Sequence, residues 1–293
     1  MLFRSVAHRF SEEIVRAVDG TPGIGTSEIC FSAGRTGNKE IYMADYDGAN
    51  VVQVTHHNSI SILPRLSPNG TKIAYLSYKD RYPYLYIYDR NTGQTSILSK
   101  RVGLNASPAW SPDGSQVAVV LSKDANTEIY LLTPSGDIIR RLTNNKASDT
   151  SPTFSPAGDR IAFVSDRAGY AQIYAMDMNG GNVSRLSYQG GSSYDPVWSP
   201  DGAHIAYVVE RGDHGREIYV MDATGSNPRQ LTNSYGSNES PTWSGDSRHV
   251  MFCSTRDGGE PHLYTVTVET GEERRVPRIA MQSQGPSWGP RRK

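Results

Sequence analysis

Six copies of a short phrase, Pro-x-(Trp/Phe/Leu)-Ser-Pro-(Asp/Asn)-Gly with some decay, recur along the chain at an almost constant interval. Consecutive copies are 44, 44, 44, 45 and 45 residues apart. A period in this range is typical of architectures in which each repeat is one supersecondary unit that buries its apolar face against its neighbours. The period therefore constrains the fold more than the propensity of any single segment. The copies begin at Pro64, Pro108, Pro152, Pro196, Pro241 and Pro286.

A second marker, Ile/Leu-Tyr, keeps the same register from Tyr42 to Tyr264. Within one repeat, residues 152–155, 160–165, 172–177 and 183–187 each have strand character, and the segments between them are rich in Gly, Pro, Asn and Asp. Four short antiparallel strands in about 44 residues make one propeller blade.

The number of blades follows from how the two ends of the chain could pair. Residues 28–55 contain the second, third and fourth strands of a blade, and residues 285–288 contain a lone first strand. We predict an all-β, six-bladed β-propeller closed by its terminal strand, with residues 28–293 as the propeller. Five blades plus fragments is the alternative, but it would leave two unpaired edges. We expect a monomer.

Residues 1–27 are predicted to be a short N-terminal α-helix and a linker. Charged residues interrupt the apolar ones, so the helix is amphipathic rather than a secretion signal. Asp19, Gly20 and Pro22 form a helix stop. The apolar face comprises Phe3, Val6, Ala7, Phe10, Ile14 and Val18.

Composition excludes some classes of function. The chain has 30 basic and 30 acidic residues, which argues against nucleic-acid binding, and no apolar run reaches the length of a membrane span. Two cysteines, Cys30 and Cys253, lie on second strands of neighbouring blades and are predicted to be free thiols rather than a disulfide.

No catalytic motif is recognisable, and we predict no enzyme activity and no cofactor. The candidate binding residues lie just before the innermost strands, where propeller loops crowd one mouth of the central channel. Asp149, Asp195 and Glu239 could bring three carboxylates to that mouth, and Ca²⁺ is the cation that they would suit. The alternative is a solvated rim whose polar side chains only cap turns. The predicted partner-binding residues are Leu104, Asn105, Ser107, Ser148, Asp149, Thr150, Tyr194, Asp195, Asn238 and Glu239.

An arginine recurs after the second strand of four blades, at Arg35, Arg167, Arg211 and Arg256. A recurring position favours a structural role, and we expect these side chains to brace an adjacent loop.

The repeat Pro-x-Trp-Ser-Pro-Asp-Gly, Ile-Ala-(Phe/Tyr)-Val, Ile-Tyr-x-Met-Asp, Leu-Thr resembles the WD40-like repeat of the TolB family, the periplasmic propellers of the bacterial Tol–Pal system. Residues 8–15, Gly20-Thr-Pro-Gly23 and the strand that follows resemble the segment joining the family's N-terminal α/β domain to its propeller. Residues 1–27 would then be the remnant of that domain.

The resemblance implies a periplasmic propeller whose channel mouth receives Pal, the peptidoglycan-associated lipoprotein, in cell-envelope integrity and division. It also implies that some colicins use the same mouth, and that contact with TolA is not expected without the family's N-terminal segment. At one position that matches the family's contact loops, this chain has Leu104 where some members of the family have a polar residue. Two alternatives stay open: a scaffold propeller with another protein partner, and a propeller hydrolase or lyase.

Overall fold

The computed structural model describes residues 2–20, 23–34, 38–212 and 215–291, although the side chains of residues 2–5 and 19 are not described. Its strands form six four-stranded antiparallel sheets, each of which is one blade of a ring. The prediction of a six-bladed propeller is confirmed.

Each blade runs from an innermost to an outermost strand, and in five of the six sheets the order of strands follows the chain. The first blade takes β1 (Ser27–Ala33), β2 (Glu40–Asp45) and β3 (Val52–Gln53) from the start of the ring. The second contains β4 (Ser61–Leu66), β5 (Lys72–Ser77), β6 (Tyr84–Asp89) and β7 (Thr95–Ser99). The third contains β8 (Asn105–Trp110), β9 (Val117–Leu121), β10 (Glu128–Leu132) and β11 (Ile138–Arg141).

The fourth blade contains β12 (Asp149–Phe154), β13 (Arg160–Ser165), β14 (Gln172–Asp177) and β15 (Ser184–Arg185). The fifth contains β16 (Ser193–Trp198), β17 (His204–Glu210), β18 (Arg216–Asp222) and β19 (Arg229–Gln230). The sixth contains β20 (Asn238–Trp243), β21 (His249–Ser254), β22 (His262–Thr267) and β23 (Glu273–Arg275).

The last strand, β24 (Ser283–Arg291), completes the first blade by pairing with β1. Ile29 lies opposite Trp288, and the Trp288 indole donates to the Ser27 hydroxyl at 2.8 Å. Terminal-strand closure is thus confirmed. Cys30 and Cys253 are buried free thiols beside this strand: Cys30 lies opposite Ser287, and the Cys253 thiol donates to the Ser283 carbonyl oxygen at 3.5 Å.

The core lies between the blades rather than in one centre. The second and third strands are almost wholly buried, as in β9 and β10, because both of their faces pack against neighbouring blades. Aromatic side chains pair across these strands, for example Phe163 with Tyr174 at a centroid separation of 6.0 Å.

Five of the turns from the first to the second strand are built alike. In each, a serine hydroxyl donates to an Asx carboxylate or amide oxygen and accepts the N–H of the next strand's first residues, as Ser111 does with Asp113 (2.6 Å) and Gln116 (2.9 Å). Such side-chain bonds fix a turn locally. The serines are Ser67, Ser111, Ser155, Ser199 and Ser244.

The helix α1 (Leu2–Asp19) lies beside the start of β1. It contacts the propeller through its polar side, since Glu12 accepts the Thr26 N–H at 2.7 Å and the His8 ring stands 5.6 Å from that of Tyr46. Its apolar face is exposed, with Val6, Phe10, Ile14 and Val18 each between 49 and 76% accessible. None of the helices in the described part of the chain combines the length and hydropathy of a membrane span.

Candidate functional site

The two ends of the ring are built from different connections. We call the end where the innermost strands begin the loop face, and the end where they finish the turn face. On the loop face, backbone hydrogen bonds join the segment before each inner strand to the segment between second and third strands. Examples are Asp149 N–H to Thr127 C=O at 2.9 Å and Ser193 N–H to Ala171 C=O at 2.7 Å. The turn face carries the repeated serine turns.

Every innermost strand contains a β-bulge at its third residue. That residue precedes the repeated proline and has a positive φ between 47° and 58° in all six blades. Only one of the six is glycine, so five residues hold a conformation that costs of order 1–3 kcal/mol each. We call these residues the bulge ring: Leu63, Ser107, Ser151, Asp195, Ser240 and Gly285.

All members of the bulge ring except Gly285 line one end of a central cavity of about 480 Å³. The other end is lined by the prolines of the serine turns, including Pro68, Pro112 and Pro156. The walls between carry both small residues, such as Ala109 and Thr153, and aromatic ones. A channel of this volume suits a peptide segment or side chain better than a folded domain.

One cation and one carboxylate face each other in this channel. Arg65 of the second blade and Asp195 of the fifth both line it, from opposite sides of the ring. Burial lowers the pKa of the Arg65 guanidinium, and the Asp195 carboxylate opposes that shift. Asp195 also accepts the Ser151 hydroxyl at 3.2 Å. The field across the channel therefore runs from the second blade to the fifth.

Three predicted contact residues prove to be interior. Asn105, Asp149 and Asn238 are each the first residue of an inner strand and are fully buried. Asp149 pairs with Arg167 at 3.0 Å, and Asn238 donates to Glu217 at 2.8 Å. We correct their assignment from surface contacts to structural polar groups, which the loops need because a buried polar atom must be paired.

The expected carboxylate cluster is also wrong. Asp149, Glu239 and Asp195 occupy the first, second and third positions of their strands, and the β-bulge at the third position interrupts the alternation of side chains, so the three carboxylates point in different directions. Asp149 faces Arg167, Glu239 pairs with Arg216 at 3.0 Å, and Asp195 turns into the channel. Among the described residues, no three His, Cys, Asp or Glu side chains come together as metal ligands.

The recurring arginines do brace loops in two of the four blades. Arg167 bonds both Asp149 and Ser165, and Arg256 bonds Asn238, Ser254 and Glu273. Arg211 instead reaches outward, to Tyr219 at 3.3 Å and to Gln230. Arg35 lies outside the described residues.

The remaining predicted residues lie at the loop-face surface. Leu104 and Ser148 are exposed. Half-buried positions are occupied by Ser107, Thr150, Tyr194, Asp195 and Glu239.

Apart from Leu104, sequence reasoning missed the exposed apolar side chains of this face. Large apolar side chains that are exposed occur in three places among the described residues: on α1, in the outermost strands and the turns just before them, and in the loop-face connections. Those of the loop-face connections concern the candidate site. The residues in the loop-face connections do not recur at the 44- to 45-residue period, and this departure from the repeat is the sequence signal that could have identified them. They are Ile60, Tyr78, Tyr82, Val102, Leu104, Tyr170, Tyr188 and Tyr235.

Comparison with known proteins places this architecture. The family model described as the TolB beta propeller domain matches residues 15–292. The crystal structure of TolB from Acinetobacter baumannii superimposes with a TM-score of 0.89 at 28% sequence identity, covering 98% of this chain and 73% of that one.

Two curated relatives match a shorter region. A TolB homolog from Chlorobaculum tepidum is 44% identical over 97 residues, which are 33% of this chain and 22% of the relative. A Tol-Pal system protein TolB from Desulfosudis oleivorans is 40% identical over 102 residues, or 35% and 23% of the two chains. The matches thus span less than a quarter of the length of these relatives.

Proposed function

The chain belongs to the family of TolB β-propeller domains, and we propose that it is a non-enzymatic binding propeller that takes a Pal-like peptidoglycan-associated lipoprotein at the loop-face mouth of its channel. The role belongs to the Tol–Pal system named in its relatives. It would serve cell-envelope integrity and division in the periplasm, and colicins would compete for the same mouth. We assign no TolA contact to these residues.

One observation carries this proposal: the eight exposed apolar side chains all lie in connections of the loop face, the face on which the bulge ring opens the channel. Tyr235 is 93% accessible, Val102 88% and Tyr170 71%. Exposed aromatic groups on loops held by a rigid scaffold are typical of protein-binding surfaces. The ring beneath them is closed and strained at the bulge ring, so the surface is preorganised and loses little entropy on binding.

The proposed contact residues combine this apolar set with the accessible polar rim. The rim consists of Ser107, Ser148, Thr150, Tyr194, Asp195 and Glu239, and Leu104 belongs to the apolar set.

Titration calorimetry against the soluble domain of the Pal lipoprotein from the same organism tests the proposal. We expect saturable binding that weakens about tenfold or more in Tyr235→Ala and in Leu104→Ala, because truncating a central apolar anchor costs over 1 kcal/mol. The matched controls are Val52→Ala and Ile139→Ala, which truncate exposed residues of the outermost strands.

Two results would contradict the proposal. Absence of binding by a folded protein would favour the second candidate, a scaffold propeller with another protein partner. Equal weakening by loop-face and control variants would remove the loop face as the site.

A further inference from the structure

Charge is distributed unevenly over the loop face. Residues 78–83, 100–104, 122–127 and 144–148, which we call the basic sector, belong to the second and third blades and the connection to the fourth. The basic sector carries six basic side chains and only two acidic ones, Asp80 and Asp124. The basic ones are Lys79, Arg81, Lys100, Arg101, Lys123 and Lys146.

Of these six cations, Lys123 alone has a carboxylate partner in the described part of the chain. Arg81, Lys100 and Lys146 are exposed, and none of the ion pairs in the described part of the chain includes them. The two acidic groups are already engaged: Asp80 accepts the Tyr86 hydroxyl at 2.6 Å, while Asp124 pairs with Lys123 at 2.5 Å and accepts from Tyr130. The sector therefore presents uncompensated positive charge to solvent.

The same face over the fourth to sixth blades is compensated internally. There Arg167 pairs with Asp149 at 3.0 Å, and Asp257 pairs with Arg275 at 2.9 Å. Arg256 pairs with Glu273. These contacts pair charges over the fourth to sixth blades, in contrast to the basic sector over the second and third.

Apolar groups stand among the uncompensated cations. Tyr82 is 63% accessible and Val102 88%, with Tyr78 and Leu104 close to 40%. An apolar centre with a charged rim is the anatomy of a protein interface, and tyrosine gives large contact area at small entropic cost.

We propose that the basic sector docks an acidic protein surface with apolar side chains at its centre, and that this surface is part of the partner that occupies the channel mouth. The inference rests on the proposed function and adds the chemistry and the location of the contact. Attraction between the opposite charges steers association and fixes the orientation in which the partner meets the channel.

Charge reversal measures the contact directly. In Lys100→Glu/Lys146→Glu, the association rate constant for the soluble domain of Pal falls about tenfold or more at low salt, and its dependence on salt becomes shallow. The control Arg140→Glu/Arg229→Glu makes the same change of net charge at exposed arginines of outermost strands and leaves both quantities as in the unmodified protein. Both variants retain the melting temperature. Unchanged association in Lys100→Glu/Lys146→Glu overturns the inference while leaving the proposed function intact.

A second arm works whether or not Pal binds. Amide resonances of residues 78–148 are followed by NMR with a synthetic twelve-residue peptide of alternating Glu and Leu, and with its Gln-Leu counterpart. The inference predicts shifts in the basic sector with the Glu peptide only, and none in Lys100→Glu/Lys146→Glu. Shifts elsewhere, no shifts, or equal shifts with both peptides overturn it. Binding to phosphatidylglycerol vesicles without a response to the Glu peptide would replace the protein partner with a membrane surface.

Discussion

The turn face and the loop face are made by the same strands, yet they differ in almost every chemical respect. The turn face repeats one serine turn five times, and its polar groups bond to each other within a few residues. The loop face has connections of differing sequence, exposed tyrosines and cations without partners. The regular end maintains the ring, and the irregular end is where the proposed partner meets it.

The largest expected effect comes from removing most of β24, the strand that closes the ring. Deleting residues 285–293 leaves β1 without its inner neighbour, and the free energy of unfolding should fall by more than about 4 kcal/mol. Thermal melting measures the loss. Cys30 and Cys253, buried beside β24, should then react with a thiol reagent, so labelling reports the same opening. A chain lacking only residues 292–293 is the control, and an unchanged melting transition in the longer deletion would disprove closure by β24.

Glycine-to-alanine substitutions at two positions of the fourth blade compare a turn-face connection with a loop-face connection. Gly180 lies in the turn before the outermost strand, and an added Cβ would stand 2.2 Å from the Leu142 carbonyl oxygen. Gly169 lies in a loop-face connection with nothing within 4 Å of that position. Both have positive φ. Gly180→Ala should therefore lower the free energy of unfolding by roughly 3 kcal/mol and Gly169→Ala by about 1 kcal/mol, as chemical denaturation would show. Similar losses in the two would mean that backbone crowding does not distinguish these connections.

The smallest effect is one of pH, and its sign differs between the faces. Hydrogen bonds from Ser111 and Ser115 lower the pKa of the turn-face Asp113 from 3.8 to about 2, so this contribution to stability is present above pH 3.8 and lost as pH falls through 2. Burial raises the pKa of Glu217, which bonds loop-face residues Ser234 and Asn238, above 4.5. Its ionisation therefore costs stability as pH rises above 4.5 through its folded pKa.

Asp113→Asn should make the acid loss of stability shallower, whereas Glu217→Gln should reduce the decline above pH 4.5. Glutamine fits the second site, because Gln172 holds the equivalent position in the fourth blade and accepts the Ser187 hydroxyl at 2.7 Å. Melting temperatures from pH 2 to 8 give both slopes. Parallel curves for the variants and the unmodified protein would show that neither group is linked to unfolding.

The sequence predicted the ring because its repeated phrase encodes the turn face, where local hydrogen bonding and packing leave few alternatives. Blade number, strand positions and closure all followed from that periodicity. The bulge ring did not, since proline ordinarily pushes the preceding residue toward extended backbone. Leu63 and Asp195 adopt positive φ only because the inner strand must widen its pairing at that point.

The candidate site was less predictable for a related reason. The β-bulge at the third strand position decides which side chain enters the blade and which enters the channel, and it separated Asp149 at the first position from Asp195 at the third. The tyrosines of the loop face sit in connections that share no pattern between blades. Repetition identifies the scaffold, whereas the surface chemistry lies in the residues that depart from it.

Closure by β24 also determines the order in which the blades can be completed while the chain is being translated. Ser27 and Trp288, which bond in the first blade, are separated by 261 residues, so β1 waits as an open edge until the other five blades have left the ribosome. Contacts of such long sequence separation form slowly, and an unpaired strand is prone to pair with other chains meanwhile. The strand that completes the ring thus makes the earliest blade to be translated the last one to be finished.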